Sequence, residues 1–159
     1  MLKKTNDKRL SRKPVIRKQS DYREILVLSD LKVTSLIESM SRFFPTARLT
    51  VLVPRLTKEM TDHTPYQSYH KSDFNLTGKP KNDKLTEVLS RAYDLVVDLS
   101  KTSKLNDSIF RRIQAGFFIG GNASTKAEYY DLQIEQQLID NQNIAELINH
   151  LTLLTQHGN

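Results

Sequence analysis

Between Tyr93 and Gly121, in YDLVVDLSKTSKLNDSIFRRIQAGFFIGG, two short apolar runs flank one helical pattern. Leu95–Val96–Val97 is apolar and β-branched, and closes at Asp98, Leu99 and Ser100. After a polar turn, Asn106, Ile109, Phe110 and Ile113 recur at the spacing of one helix face. Phe117–Phe118–Ile119 is the second run and stops at Gly120–Gly121. Strands that are apolar throughout, joined through a helix, predict a β-α-β unit with parallel strands covered on both faces.

The rest of the chain extends that unit. Ile25–Leu28 reads as a buried strand ended by Ser29–Asp30, either of which can cap a following helix. Val33, Leu36, Ile37, Met40, Phe43 and Phe44 form a strong amphipathic stripe, stopped by Pro45. Leu49–Val53 is a second strand. Residues 55–65 are polar and read as a loop, and Tyr66–Phe74 holds a short edge strand with a poor face pattern. Residues 76–80 (LTGKP) make a turn, and Leu85, Val88, Leu89 and Ala92 a helix. Past a polar loop at 122–126, Leu132–Ile134 is a short sixth strand. Asn143 with Glu146 opens a last helix as a capping pair.

Alternating strands and helices imply an α/β fold: a mainly parallel sheet of five to six strands between two helical layers. Right-handed crossovers give the order 3-2-1-4-5, a Rossmann-like half, with the sixth strand at the far edge. Residues 1–23 read as an N-terminal arm and 24–159 as one domain.

Charge separates the two parts. Residues 1–20 hold eight Lys/Arg against one acid, a net +7, whereas the remainder has sixteen against seventeen, a net −1. The basic pairs are Lys3–Lys4, Lys8–Arg9, Arg12–Lys13 and Arg17–Lys18. Such an arm suits phosphates of RNA or of an anionic membrane, and equally serves as a solubilising tail. The absence of cysteine excludes disulfides and thiolate sites. No run nears the roughly 18 apolar residues that cross a bilayer, and no secretory leader is seen, so a cytoplasmic chain is the simplest reading.

In such sheets ligands sit beyond the C-terminal strand ends where strand order reverses, here between the first and fourth strands. Ser29, Asp30, Asp98, Ser100, Lys101 and Thr102 fall there, with Gly120, Gly121 and Asn122 one strand away. Asp30 is the best placed base or ligand, or else a helix cap. Asp98, a carboxylate within a buried strand, needs a hydrogen-bond partner or proximity to the cleft. Asp94 is expected to face solvent at the strand entry. The first strand-to-helix turn has no glycine for a pyrophosphate, and the four histidines match no metal spacing, so no cofactor or metal is expected.

DLVVDLS followed by AGFFIGG resembles the N-terminal half of the bacterial ADP-heptose:lipopolysaccharide heptosyltransferases. There an Asp after the first strand serves the reaction, and Asp30 falls in its place with Ser29 where a glycine stands. Those enzymes bind the nucleotide-sugar with a second α/β domain, so the resemblance implies fold rather than activity. EILVLSD, SDFNLTGKP and DLVVDLS together resemble a small uncharacterised bacterial family of about this length, which implies no catalytic residues.

These features predict a non-catalytic binding protein. Lys3, Lys4, Lys8, Arg9, Arg12, Lys13, Arg17 and Lys18 would hold structured RNA or a ribonucleoprotein, and a protein partner could pair at the edge strand near Tyr69. The alternative is a sugar or nucleotide binder, or a degenerate glycosyltransferase-like enzyme, using the cleft between strands one and four.

Overall fold

A chain whose strands are joined through helices must return each strand parallel to the last, and right-handed crossovers then fix the order. The computed structural model describes residues 13–30, 33–55, 65–101, 103–124, 126–140 and 143–156, except the side chains of 139, 140 and 144. Among them the central sheet has six strands: β1 (Glu24–Leu28), β2 (Arg48–Pro54), β3 (Tyr66–Tyr69), β5 (Leu95–Asp98), β7 (Phe118–Gly121) and β8 (Leu132–Ile134). Their order is β3-β2-β1-β5-β7-β8, every neighbour parallel. This is the expected order, with the sixth strand at the far edge.

Strand alternation splits the core in two. Ile25, Val27, Leu95, Val97 and Ile119 face α1 (Thr34–Phe43) and α5 (Ile144–Gln156). Leu26, Leu28, Val96 and Phe118 face α2 (Asp83–Ser90) and α3 (Lys104–Arg112). Phe110 of α3 is wholly buried, its ring centroid 5.2 Å from Phe118 and 5.7 Å from Tyr130. Burial of such a ring contributes roughly 1.5–3 kcal/mol.

Local differences have local causes. Ala92 leaves the helix expected for it and forms β4 (Ala92–Tyr93), which pairs with β6 (Gln114–Ala115) in a small parallel ladder. The edge strand ends at Tyr69 because His70–Asp73 turns into a 3-10 helix, with His70 and Asp73 capping it reciprocally. A short α4 (Gln136–Asp140) was not expected. Asn82 and Ser103 cap α2 and α3, and Asn143 accepts from the Glu146 amide at 3.2 Å. Neither Ser29 nor Asp30 is the cap of α1; Val33 holds that position without a side-chain bond.

The described part of the arm is tied to the entry edge of the sheet. The Val15 amide donates to the Gly116 carbonyl at 2.8 Å, and Arg17 Nε lies 3.3 Å from Asp94 Oδ1. Asp94 does not face solvent freely, as its position suggested. Its Oδ2 accepts from the amides of Arg23 (2.7 Å) and Glu24 (3.0 Å), so one carboxylate binds the arm and the start of β1 to β5.

Replacing Asp94 with Ala strands two backbone donors, and the expected loss is about 2 kcal/mol, with Asn restoring part of it. Urea unfolding midpoints measure this; equal midpoints for Asp94→Ala and the parent would show that water replaces the carboxylate at no cost.

Candidate functional site

The C-terminal ends of β1, β5 and β7 carry two linked polar clusters. The inner one surrounds Asp98, which pairs with Leu28 on one side and Gly120 on the other and has no exposed side-chain surface. Tyr130 donates its hydroxyl to Asp98 Oδ2 at 2.6 Å, and Lys126 Nζ stands 2.8 Å from the same oxygen. Oδ1 accepts from the Ser100 hydroxyl (2.5 Å) and amide (3.0 Å). Lys126 also donates to Ser100 Oγ at 3.0 Å, lies 4.0 Å from Asp107 and stands over the Phe110 ring. Ser124 Oγ is 3.2 Å from the Tyr130 hydroxyl and accepts from the Lys126 amide.

The outer cluster begins at Asp30, which is half-buried. Its Oδ2 accepts from the Lys101 amide at 2.5 Å, and its Oδ1 from Asn106 Nδ2 at 3.3 Å. Asn106 also donates to the Lys101 carbonyl (2.7 Å) and accepts from the Tyr69 hydroxyl (2.6 Å). Asp30 thus latches the loop after β1 to the loop after β5.

Burial sets the state of the phenols. Tyr69 and Tyr130 are pushed far above the ordinary phenol value, first by desolvation and then by nearby carboxylates: Asp30 and Asp98 for Tyr69, Asp98 for Tyr130. Tyr93 is pushed up to about 12, mainly by desolvation. Each stays a neutral donor at physiological pH.

Of the residues singled out from sequence, Asp98 and Ser100 are joined directly, and Asp30 reaches them through Lys101. Ser29 is buried and its amide donates to the Leu52 carbonyl. Gly120 serves Tyr130: a Cβ there would lie 2.2 Å from the ring. Gly121 is one residue further, paired with Ile134 of the edge strand β8. Thr102 lies outside the described residues, as do Lys3, Lys4, Lys8, Arg9 and Arg12. Lys13 and Lys18 are exposed and Arg17 is tied to Asp94. Tyr69, in the edge strand, is turned inward and is 4% exposed.

Lys126, Tyr130, Asn106 and Tyr69 were missed as site residues. Asn106 carried a signal, since it is a polar residue on the apolar stripe of its helix. Lys126 and Tyr130 carried none, because turns rather than a periodic pattern set their positions.

Ser100 Oγ and Lys126 Nζ have the separation of a nucleophile and its base, but their roles oppose that chemistry. The serine hydroxyl donates to Asp98 Oδ1 rather than to Lys126, which itself donates to Ser100 Oγ. Among the described residues no group of three His, Asp or Glu is placed to hold a metal, and no helix is long and apolar enough to cross a membrane.

A model of the Family of unknown function (DUF6913) matches residues 1–154. No curated protein and no solved structure matches the chain.

Gly120→Ala drives the Tyr130 ring off Asp98, and the expected cost is about 3 kcal/mol by urea unfolding; a loss under about 1 kcal/mol would mean the ring moves aside freely. The raised phenols predict alkaline sensitivity. Unfolded tyrosines ionise near pH 10, so stability is full below about pH 10 and falls as pH rises toward the folded values. Tyr69, Tyr93 and Tyr130 each add a slope of up to about 1.4 kcal/mol per pH unit. Urea midpoints at about pH 9 and about pH 11 test this, and equal midpoints would contradict it.

Proposed function

The chain belongs to this family of unknown function, and we propose that it is a non-catalytic, cytoplasmic binding protein held by its basic N-terminal arm to structured RNA, as in a ribosomal particle. The observation behind this is the use made of the strand-end carboxylates. All four oxygens of Asp98 and Asp30 accept bonds from the protein's own loops and from α3, which supports a platform rather than a reacting centre. Binding capacity then falls to charge, and charge is concentrated in the arm, eight Lys/Arg against one acid in residues 1–20.

Anchoring of Val15 and Arg17 to the body divides the arm's cations into two sets. Arg17 is engaged by Asp94. Lys3, Lys4, Lys8, Arg9 and Arg12 precede the anchor and are the candidates for phosphate contacts, with exposed Lys13 and Lys18 beside them.

A second reading is a sugar or nucleotide site in a glycosyltransferase-like fold, as the heptosyltransferase resemblance suggests. The half-buried state of Asp30 favours it, because a ligand hydroxyl can compete with the Lys101 amide for that carboxylate.

Changing Lys3, Lys4, Lys8, Arg9 and Arg12 together to Gln in the full chain tests the first reading. By fluorescence anisotropy on a labelled RNA hairpin, the log–log dependence of affinity on salt should become shallower by about 3.5 to 4.5. An unaltered slope and affinity would remove the arm from RNA binding.

A further inference from the structure

We infer that the outer face of α3, with the Asn75–Pro80 loop docked on it, is a second phosphate-binding surface that takes the sugar–phosphate backbone of the same RNA; this rests on the RNA reading above. The near-neutral charge of the body is an average over unlike faces. Segments 76–82 and 101–112 hold six Lys/Arg against one acid, Asp107, although residues 21–159 net −1.

Spacing puts these charges on one side of a helix. Lys104, Ser108, Arg111 and Arg112 lie four, seven and eight residues apart and share one face, and with Asp107 they line a groove of about 380 Å³. Lys104 and Arg111 are exposed and Arg112 half-exposed. The single acid of the groove is drawn toward buried Lys126, 4.0 Å away. Lys104 sits in the first turn of α3, where the helix dipole disfavours a cation, so helix stability does not account for it.

The neighbouring loop is built to hold its shape. Asn75 Oδ1 accepts from the Thr77 amide (3.0 Å), the Thr77 hydroxyl (2.7 Å) and the Lys79 amide (2.9 Å). Gly78 takes the left-handed φ of 80° that only glycine adopts without strain. Arg112 Nη2 donates to the Thr77 carbonyl at 3.2 Å, which seats the loop on α3, and Lys79 and Lys81 of this segment are exposed.

The described arm lies apart from this surface: Val15 bonds Gly116 at the strand entry, Ile16 joins the core under α1 and α5, and Gln19 lines a groove with Arg42 and Phe43. Eight residues of helix rise separate Lys104 from Arg112, about 12 Å. Cations spread over that length suit a polyanion better than a single small anion.

The test uses the full chain and a labelled RNA hairpin in a KCl series. Lys104→Gln with Arg111→Gln should make the salt slope shallower by about 1.4 to 1.8, the loss of two phosphate contacts. Lys84→Glu removes the same two units of charge from α2, in a groove with Arg48 and Tyr66 that no residue of α3 or of the described arm lines, and should leave the slope unchanged. An unchanged slope for the α3 double variant, in a chain that binds RNA, overturns the inference and leaves the arm reading intact. An equal effect of Lys84→Glu also overturns it, since only net charge would then matter. If the unsubstituted chain does not bind RNA, or binds an acidic protein instead, the RNA reading falls and this inference falls with it.

Discussion

A carboxylate with no exposed surface at the end of a central strand has to be neutralised where it stands. Asp98 is in that position, and the loops around it are arranged to answer it. Lys126 supplies the opposite charge, Tyr130 and Ser100 supply hydrogen bonds, and each comes from a segment that lies outside the sheet. Tyr130 reaches Asp98 only because β7 has a glycine at position 120, where any Cβ would occupy the ring's space. Ser100 fixes the turn after β5, and the next residue, Lys101, gives its amide to Asp30. One buried charge thus couples the exits of β1, β5 and β7, the place where this topology otherwise leaves a cleft for ligands.

The architecture was legible because its determinants are local. Apolar runs at 25–28, 49–53, 95–97 and 117–119 separated by helical periods leave little choice but a parallel sheet, and handedness supplies the order. Asp98 was legible as an anomaly, a charge inside a strand that needed a partner. The partner was not, since Lys126 and Tyr130 are 28 and 32 residues away along the chain, in a loop without a period. Asp30 misled in an instructive way. A Ser-Asp pair after a strand has the form of a helix cap, yet the carboxylate is drawn to the Lys101 amide and Asn106 across the sheet. Asp94 likewise looked like a solvated strand entry, and instead gathers the arm and two amides of the first strand.

On the proposed reading, recognition lies at the periphery rather than at the strand ends. The arm is anchored at Val15 and Arg17, and Lys104, Arg111 and Arg112 gather on the outer face of α3. A two-sided core holds α3, on which the Asn75–Pro80 loop is seated through Arg112; on the proposed reading this fold is a rigid carrier for the cations of helix and arm. Structural and binding roles are then separable, residing in different residues on different surfaces.

That separation is open to one direct measurement. Asp30→Asn combined with Tyr130→Phe alters the strand-end network while the Asp98–Lys126 pair and Asp107 stay in place. RNA affinity and its salt dependence, measured by anisotropy on the folded double variant, should match those of the parent chain. Loss of RNA binding in a variant whose circular dichroism is unchanged would place recognition at the strand ends and contradict the account.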